Sequence, residues 1–168
     1  MISDEERHYV SLGKLVGNLQ SLEFLLRGFL TTVYDAGPDG LINGMPKDMD
    51  ALQIGEKVPV NHMTNYDPLG KLIDKYNRYV REKKSSLVVD KKLVVDLRNA
   101  LAHGRVSGVW PNGALKLLKF SRQGGGQVCV EFSQTMDADW FKSRIRLVYE
   151  AAKRVYAACE LFAPSMIV

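Results

Sequence analysis

Cysteine is scarce in this chain: Cys129 and Cys159 are the two among 168 residues. So low a count excludes a disulfide-stapled scaffold. The two also lie too far apart for a metal-binding pair, so both read as reduced structural thiols. Histidine is nearly as rare, and His8, His62 and His103 form no zinc-type spacing with the cysteines. No apolar run approaches the roughly 18 residues that a membrane span requires, so no membrane partner is expected. The opening residues Met1-Ile2-Ser3-Asp4-Glu5-Glu6 are acidic and polar, unlike a secretory leader or a transit peptide, which makes the cytoplasm the expected location. Gly124-Gly125-Gly126 is followed by no Gly-Lys-Ser/Thr and opens no helix. It reads as a hairpin turn rather than a phosphate loop, and no cofactor or metal is expected.

What is present suits a globular protein: 46% of residues are hydrophobic and 25% charged. A chain of this length is expected to form one domain over 1–168 that buries a core unaided. The net charge of +4 admits contact with nucleic acid without demanding it. Basic residues gather as Arg78, Arg81, Lys83 and Lys84 with Lys91 and Lys92, then as Arg98, His103 and Arg105, and later as Arg144 and Arg146 with Lys153 and Arg154. Each cluster alone is more often a solvated helix face than a binding surface.

The expected fold class is mainly α, an antiparallel helical bundle with a small three-stranded antiparallel β-meander inserted before the last helix. A first helix over 4–34 opens on a Ser3/Glu6 capping box and carries an apolar stripe of helical period from Leu12 to Val33. Gly13, Gly17 and Gly28 weaken it but let another helix approach closely. Residues 36–65 sustain no period and contain the stop signal Gly37-Pro38-Asp39-Gly40, so they read as a long loop. His62 lies in it with no evident partner. A second helix starts at Asp67-Pro68, with Asp67 as cap and Pro68 at the first helical position. It buries Leu69, Leu72, Ile73, Tyr76 and Val80. Tyr76 and Tyr79 beside Arg78 and Arg81 are candidate base-stacking residues, though core tyrosines beside solvated arginines are commoner. A third helix begins near Ser86 or Asp90 and ends at His103. Its stripe is Leu93, Val94, Leu97 and Leu101, and Gly104 is the expected left-handed C-cap. Strands follow at 106–110, 114–120 and 127–132, the first two joined by a turn at Pro111-Asn112-Gly113. A last helix over 137–162 repeats Phe141, Ile145, Val148, Ala152, Val155, Cys159 and Phe162 at alternating spacings of four and three, a seam that packs on another helix within the domain or across a dimer. Pro164 ends it.

Chemistry concentrates in Leu97-Arg98-Asn99-Ala100-Leu101-Ala102-His103-Gly104-Arg105. Residues four apart share a helix face, so Asn99 and His103 stack, and the long Arg98 side chain curls toward them from one position around. A guanidinium grips a phosphate with paired hydrogen bonds, and an imidazole moves protons near neutral pH. The structural alternative is that Arg98 pairs with an acid such as Asp96 or Glu150, Asn99 caps a neighbouring backbone and His103 simply ends its helix.

Arg98-Asn99-x-x-x-His103 resembles the Arg-x(4–6)-His motif of the HEPN superfamily, including the polar residue after the arginine and its place at the end of a late helix. The resemblance covers the helices; the meander is an insertion relative to the minimal family bundle. It implies a homodimer whose facing motifs bind RNA or cleave it without a metal, with Arg98, Asn99 and His103 as catalytic residues. Arg105, Lys91, Lys92, Arg78 and Arg81 are the accompanying candidate RNA contacts. It also implies a toxin or defence role, with an antitoxin or another protein as partner. Many toxin members carry a modifiable tyrosine two positions after the histidine. Arg105 stands there, so the tyrosine-modified type is not matched. The rival expectation is a non-catalytic homodimeric interaction module.

Overall fold

The computed structural model describes residues 4–37, 41–42, 49–107 and 115–164. The expected Ser3 cap, most of the Gly37–Gly40 turn and the Pro111-Asn112-Gly113 turn lie outside them. The described residues form four α-helices: α1 (Asp4–Tyr34), α2 (Leu69–Glu82), α3 (Lys91–His103) and α4 (Ala138–Phe162). Three strands lie between α3 and α4: β1 (Arg105–Ser107), β2 (Lys116–Phe120) and β3 (Val130–Thr135). They make an antiparallel sheet in the order β1-β2-β3. The protein is therefore mainly helical with a small meander before the last helix. Among the described residues no helix is long and apolar enough to cross a membrane.

The chain divides into two compact units. The first comprises Met1–Leu19 and Lys92–Glu150, the second Gln20–Lys91 and Ala151–Val168.

In the first unit, Leu15, Val94, Leu97, Leu117, Phe141 and Val148 are buried. The α3 stripe is Val94, Leu97 and Ala100. Leu101 is half-buried, and Leu93, in the first turn, is 45% exposed. Helical period identifies a face but not where along it the packing ends, which is why Leu93 was misplaced. Asp137 caps α4, its Oδ1 accepting from Trp140 N at 2.8 Å. The His8 ring meets Phe141 edge-on at 4.9 Å, and burial pushes its pKa below the ordinary value.

Gly104 is not a left-handed cap, since its φ is not positive. It is a close-approach glycine. A Cβ there would strike Ala100 O and lie 2.8 Å from Leu117 Cδ1 and 3.0 Å from Leu118 O. Its N–H donates to Ala100 O at 2.7 Å, so the chain passes from helix to strand with no room for a side chain. The glycine run forms a two-residue hairpin turn. Gly124 and Gln127 exchange both backbone hydrogen bonds, and Gly125 (φ 58°) and Gly126 (φ 78°) take the left-handed conformations it requires. Cys129 N donates to Ser121 Oγ outside the ladder, and β3 starts three residues later than expected, at Val130.

The second unit buries Leu26, Phe29, Leu72, Ile73, Tyr76 and Val155, among others. All five expected α2 core residues are buried. Asp67 does not cap α2. Pro68 is the N-cap, with extended backbone and no side-chain cap bond, and the Asp67 carboxylate reaches forward to Lys71 at 2.6 Å and Lys75 at 2.8 Å. A proline preceding a helix leaves its carbonyl to start the first turn, and Lys71 N and Leu72 N both donate to Pro68 O. At the other end, Ser85 N donates to Val80 O and Lys84 N to Arg81 O, a Schellman closure with Lys84 at φ 56° where glycine is usual. Buried Asn77 exchanges two 2.8 Å hydrogen bonds with the Val89 backbone. Tyr76 is a core tyrosine, donating to Leu87 O at 2.7 Å and Arg154 O at 3.2 Å; burial raises its pKa. Tyr79 packs edge-on against Phe29, Tyr34 and Phe162.

Candidate functional site

The end of α3, Gly104 and the sheet together build a cleft. Arg105 pairs with Leu118 in the antiparallel register, so the chain just before it runs alongside the end of β2. His103 thereby meets Lys119, Phe120, Ser121, Arg122 and Glu131 around an open cleft of about 660 Å³. A bulge falls between the Lys119–Phe132 and Phe120–Val130 pairs, leaving Glu131 as the extra residue of β3. Bulges re-aim side chains, and here Glu131 pairs with Lys119. The Arg105 guanidinium lies 5.6 Å from the Phe120 ring centroid. The wall carries more positive than negative charge, with Glu131 as its carboxylate.

His103 is exposed, and among the described residues its ring has no hydrogen bond or ion pair. Arg98 is half-buried. Its Nη1 donates to Asn99 Oδ1 at 3.2 Å, so these two side chains meet each other. Asp96 pairs instead with Lys92, and no described carboxylate pairs with Arg98. Arg98 and Asn99 are not among the residues lining the cleft. The motif thus divides into an Arg98–Asn99 pair and an imidazole open to the cleft. Of the basic candidates, Arg105 adjoins the cleft through Phe120 and Lys92 is bound to Asp96. Arg78 and Arg81 are exposed on α2, and Lys91 pairs with Asp74 at 2.6 Å.

Lys119, Phe120, Arg122 and Glu131 escaped sequence reasoning. They meet His103 only through strand pairing, and the Lys-Leu-Leu-Lys-Phe run of β2 carries no motif. The partners of His62 were equally hidden. Its Nδ1 lies 2.7 Å from Asp35 Oδ2 and its Nε2 3.0 Å from Lys75 Nζ, in the second unit. An ammonium can only donate, so Nε2 accepts and Nδ1 carries the proton donated to Asp35. Arg27 donates to the carbonyls of His62, Asn65 and Asp67 and to Glu23 Oε1, pinning the end of the long loop. Both ring nitrogens of His62 are engaged, which makes this cluster a structural clasp.

No family model, curated protein or solved structure matches the chain.

Proposed function

We propose that this chain is a HEPN-like, RNA-directed protein: a helical bundle with an inserted meander that pairs with a second copy and binds and cleaves RNA through Arg98, Asn99 and His103. The observation that carries the reading is His103, an exposed imidazole on a cleft with Lys119 and Arg122. An imidazole there accepts the proton of a ribose 2′-hydroxyl or protonates the departing 5′-oxygen. The 2′-oxygen attacks the adjacent phosphorus, the P–O5′ bond breaks, and the products are a 2′,3′-cyclic phosphate and a 5′-hydroxyl. Arg98 does not line the cleft of its own copy; with no described carboxylate to neutralise it, it supplies charge to the phosphoryl group held beside the other copy's imidazole, and Asn99 orients the guanidinium through the 3.2 Å bond. The same resemblance suggests a toxin or defence role with an antitoxin or another protein as partner.

The test is cleavage of single-stranded RNA in EDTA by the full chain, His103→Ala and Arg98→Ala. General acid–base catalysis contributes about 10²–10⁴-fold, so His103→Ala should lose at least a hundredfold while its fold persists. No cleavage by the wild-type chain, or equal cleavage by His103→Ala, overturns the nuclease reading.

A second reading, a non-catalytic homodimeric interaction module, draws on α1. Tyr9, Val10 and Val16 are exposed there, and among the described residues nothing lies within 4 Å of a Cβ placed on Gly13 or Gly17. Under it, RNA is left intact and Val16→Glu converts a dimer to monomer in analytical ultracentrifugation.

A further inference from the structure

We propose that the cleft beside His103 takes single-stranded RNA, with one base stacked on Phe120 and the adjoining phosphate held by Arg122 and Lys119. This rests on the reading of His103 as an RNA site and deepens it. It names the form of the substrate and assigns the meander, which is not part of the minimal bundle, the work of holding it.

The cleft offers space, an aromatic side chain and two cations. Its volume of about 660 Å³ falls among small-molecule sites, which span about 300–1,000 Å³, so a single nucleotide fits it. Phe120 lines it half-buried, and among the described residues its one ring contact is the Arg105 guanidinium. With the Arg105 guanidinium over one face of the ring, the opposite face is the stacking platform, open to any base because every base has a π-face. A base in an A-form helix is already paired and stacked, so such a platform selects unpaired strands.

The charges fit the same ligand. Arg122 is exposed at the rim, and among the described residues its side chain has no ion pair, leaving its planar fork free for a phosphate. Lys119 is held by Glu131, which acts as an internal counter-ion that a phosphate must displace. Glu131 therefore opposes binding, and neutralising it strengthens the site. A purely structural role for these residues predicts no such gain.

The experiment is fluorescence anisotropy with the full chain and a labelled eight-nucleotide 2′-O-methyl RNA, which cannot cyclise, as a single strand and annealed to its complement. The single strand should bind at least tenfold tighter than the duplex, with affinity falling as salt rises. Stacking energies correspond to roughly a tenfold loss or more in Phe120→Leu. Arg122→Glu should weaken binding and Glu131→Gln should tighten it. If Phe120→Leu fails to fold, the two surface variants decide. Equal affinity for duplex and single strand overturns the proposal, as does unchanged affinity in Arg122→Glu or in folded Phe120→Leu. Cleavage of unmodified RNA separates the two readings. Selective single-strand binding without cleavage removes the nuclease and leaves this site. His103-dependent cleavage undisturbed in Arg122→Glu removes this site and leaves the nuclease.

Discussion

Replacing Gly104 with alanine should destabilise the protein by about 2 kcal/mol. The added methyl would strike Ala100 O and sit 2.8 Å from Leu117 Cδ1 and 3.0 Å from Leu118 O. Two of those three atoms are backbone oxygens. Ala100 O is held by the 2.7 Å bond from Gly104 N itself, and Leu118 is fixed by its register opposite Arg105. Leu117 is 2% exposed and has little room to turn. Overpacking of this kind costs about 1–3 kcal/mol, toward the upper end where backbone must move. The alanine returns about 0.4–1 kcal/mol by restricting the unfolded chain, which leaves a net loss of about 2. With a urea slope of about 1–3 kcal/mol/M, the unfolding midpoint should fall by about 1 M. A midpoint that stays put or rises would refute the close approach and, with it, the placement of His103 beside β2.

Three further outcomes follow from the second unit. Asn77→Ala strands the buried Val89 N–H and C=O without partners and should cost about 3 kcal/mol in urea unfolding. Lys84→Gly relieves a side chain held at φ 56° and should stabilise by about 0.5–1 kcal/mol, seen as a raised midpoint with the same slope. Hydrogen bonds from Lys71 and then Lys75 hold the Asp67 carboxyl down at about 2. Because the folded pKa is depressed, its contribution is complete above the ordinary value of about 4 and is lost as pH falls toward about 2. Asp67→Asn should flatten the urea midpoint across that window, and an unaltered acid dependence would contradict the pairing.

Local signals in the sequence carried far. Leucine spacing located α1 end to end, Pro68 marked the start of α2, and the shift from a helical to an alternating period after His103 announced the meander. What failed was whatever depends on distant partners. Asp67 looks like a cap because aspartate before proline usually is one, yet two lysines on the next turns compete for its carboxylate. Gly104 was recognised as necessary for the wrong reason, since a crowding β2 is invisible at that point in the chain. Polar Ser133, Gln134 and Thr135 show no strand alternation and are strand because their backbone pairs with 116–118. Of the candidate site, the Arg98-Asn99-x-x-x-His103 spacing singled out the imidazole, while the residues of the cleft beside it carry no local signal because sheet register brings them there.

The measurement that bears most directly on the central claim is end-group analysis by mass spectrometry of RNA treated with the full chain in EDTA, run beside His103→Ala with an unchanged urea midpoint. Attack by the 2′-hydroxyl assisted by His103 predicts fragments ending in 2′,3′-cyclic phosphate from the wild-type chain and intact RNA from the variant. Fragments bearing 5′-phosphates, or the same cyclic ends from His103→Ala, would contradict it.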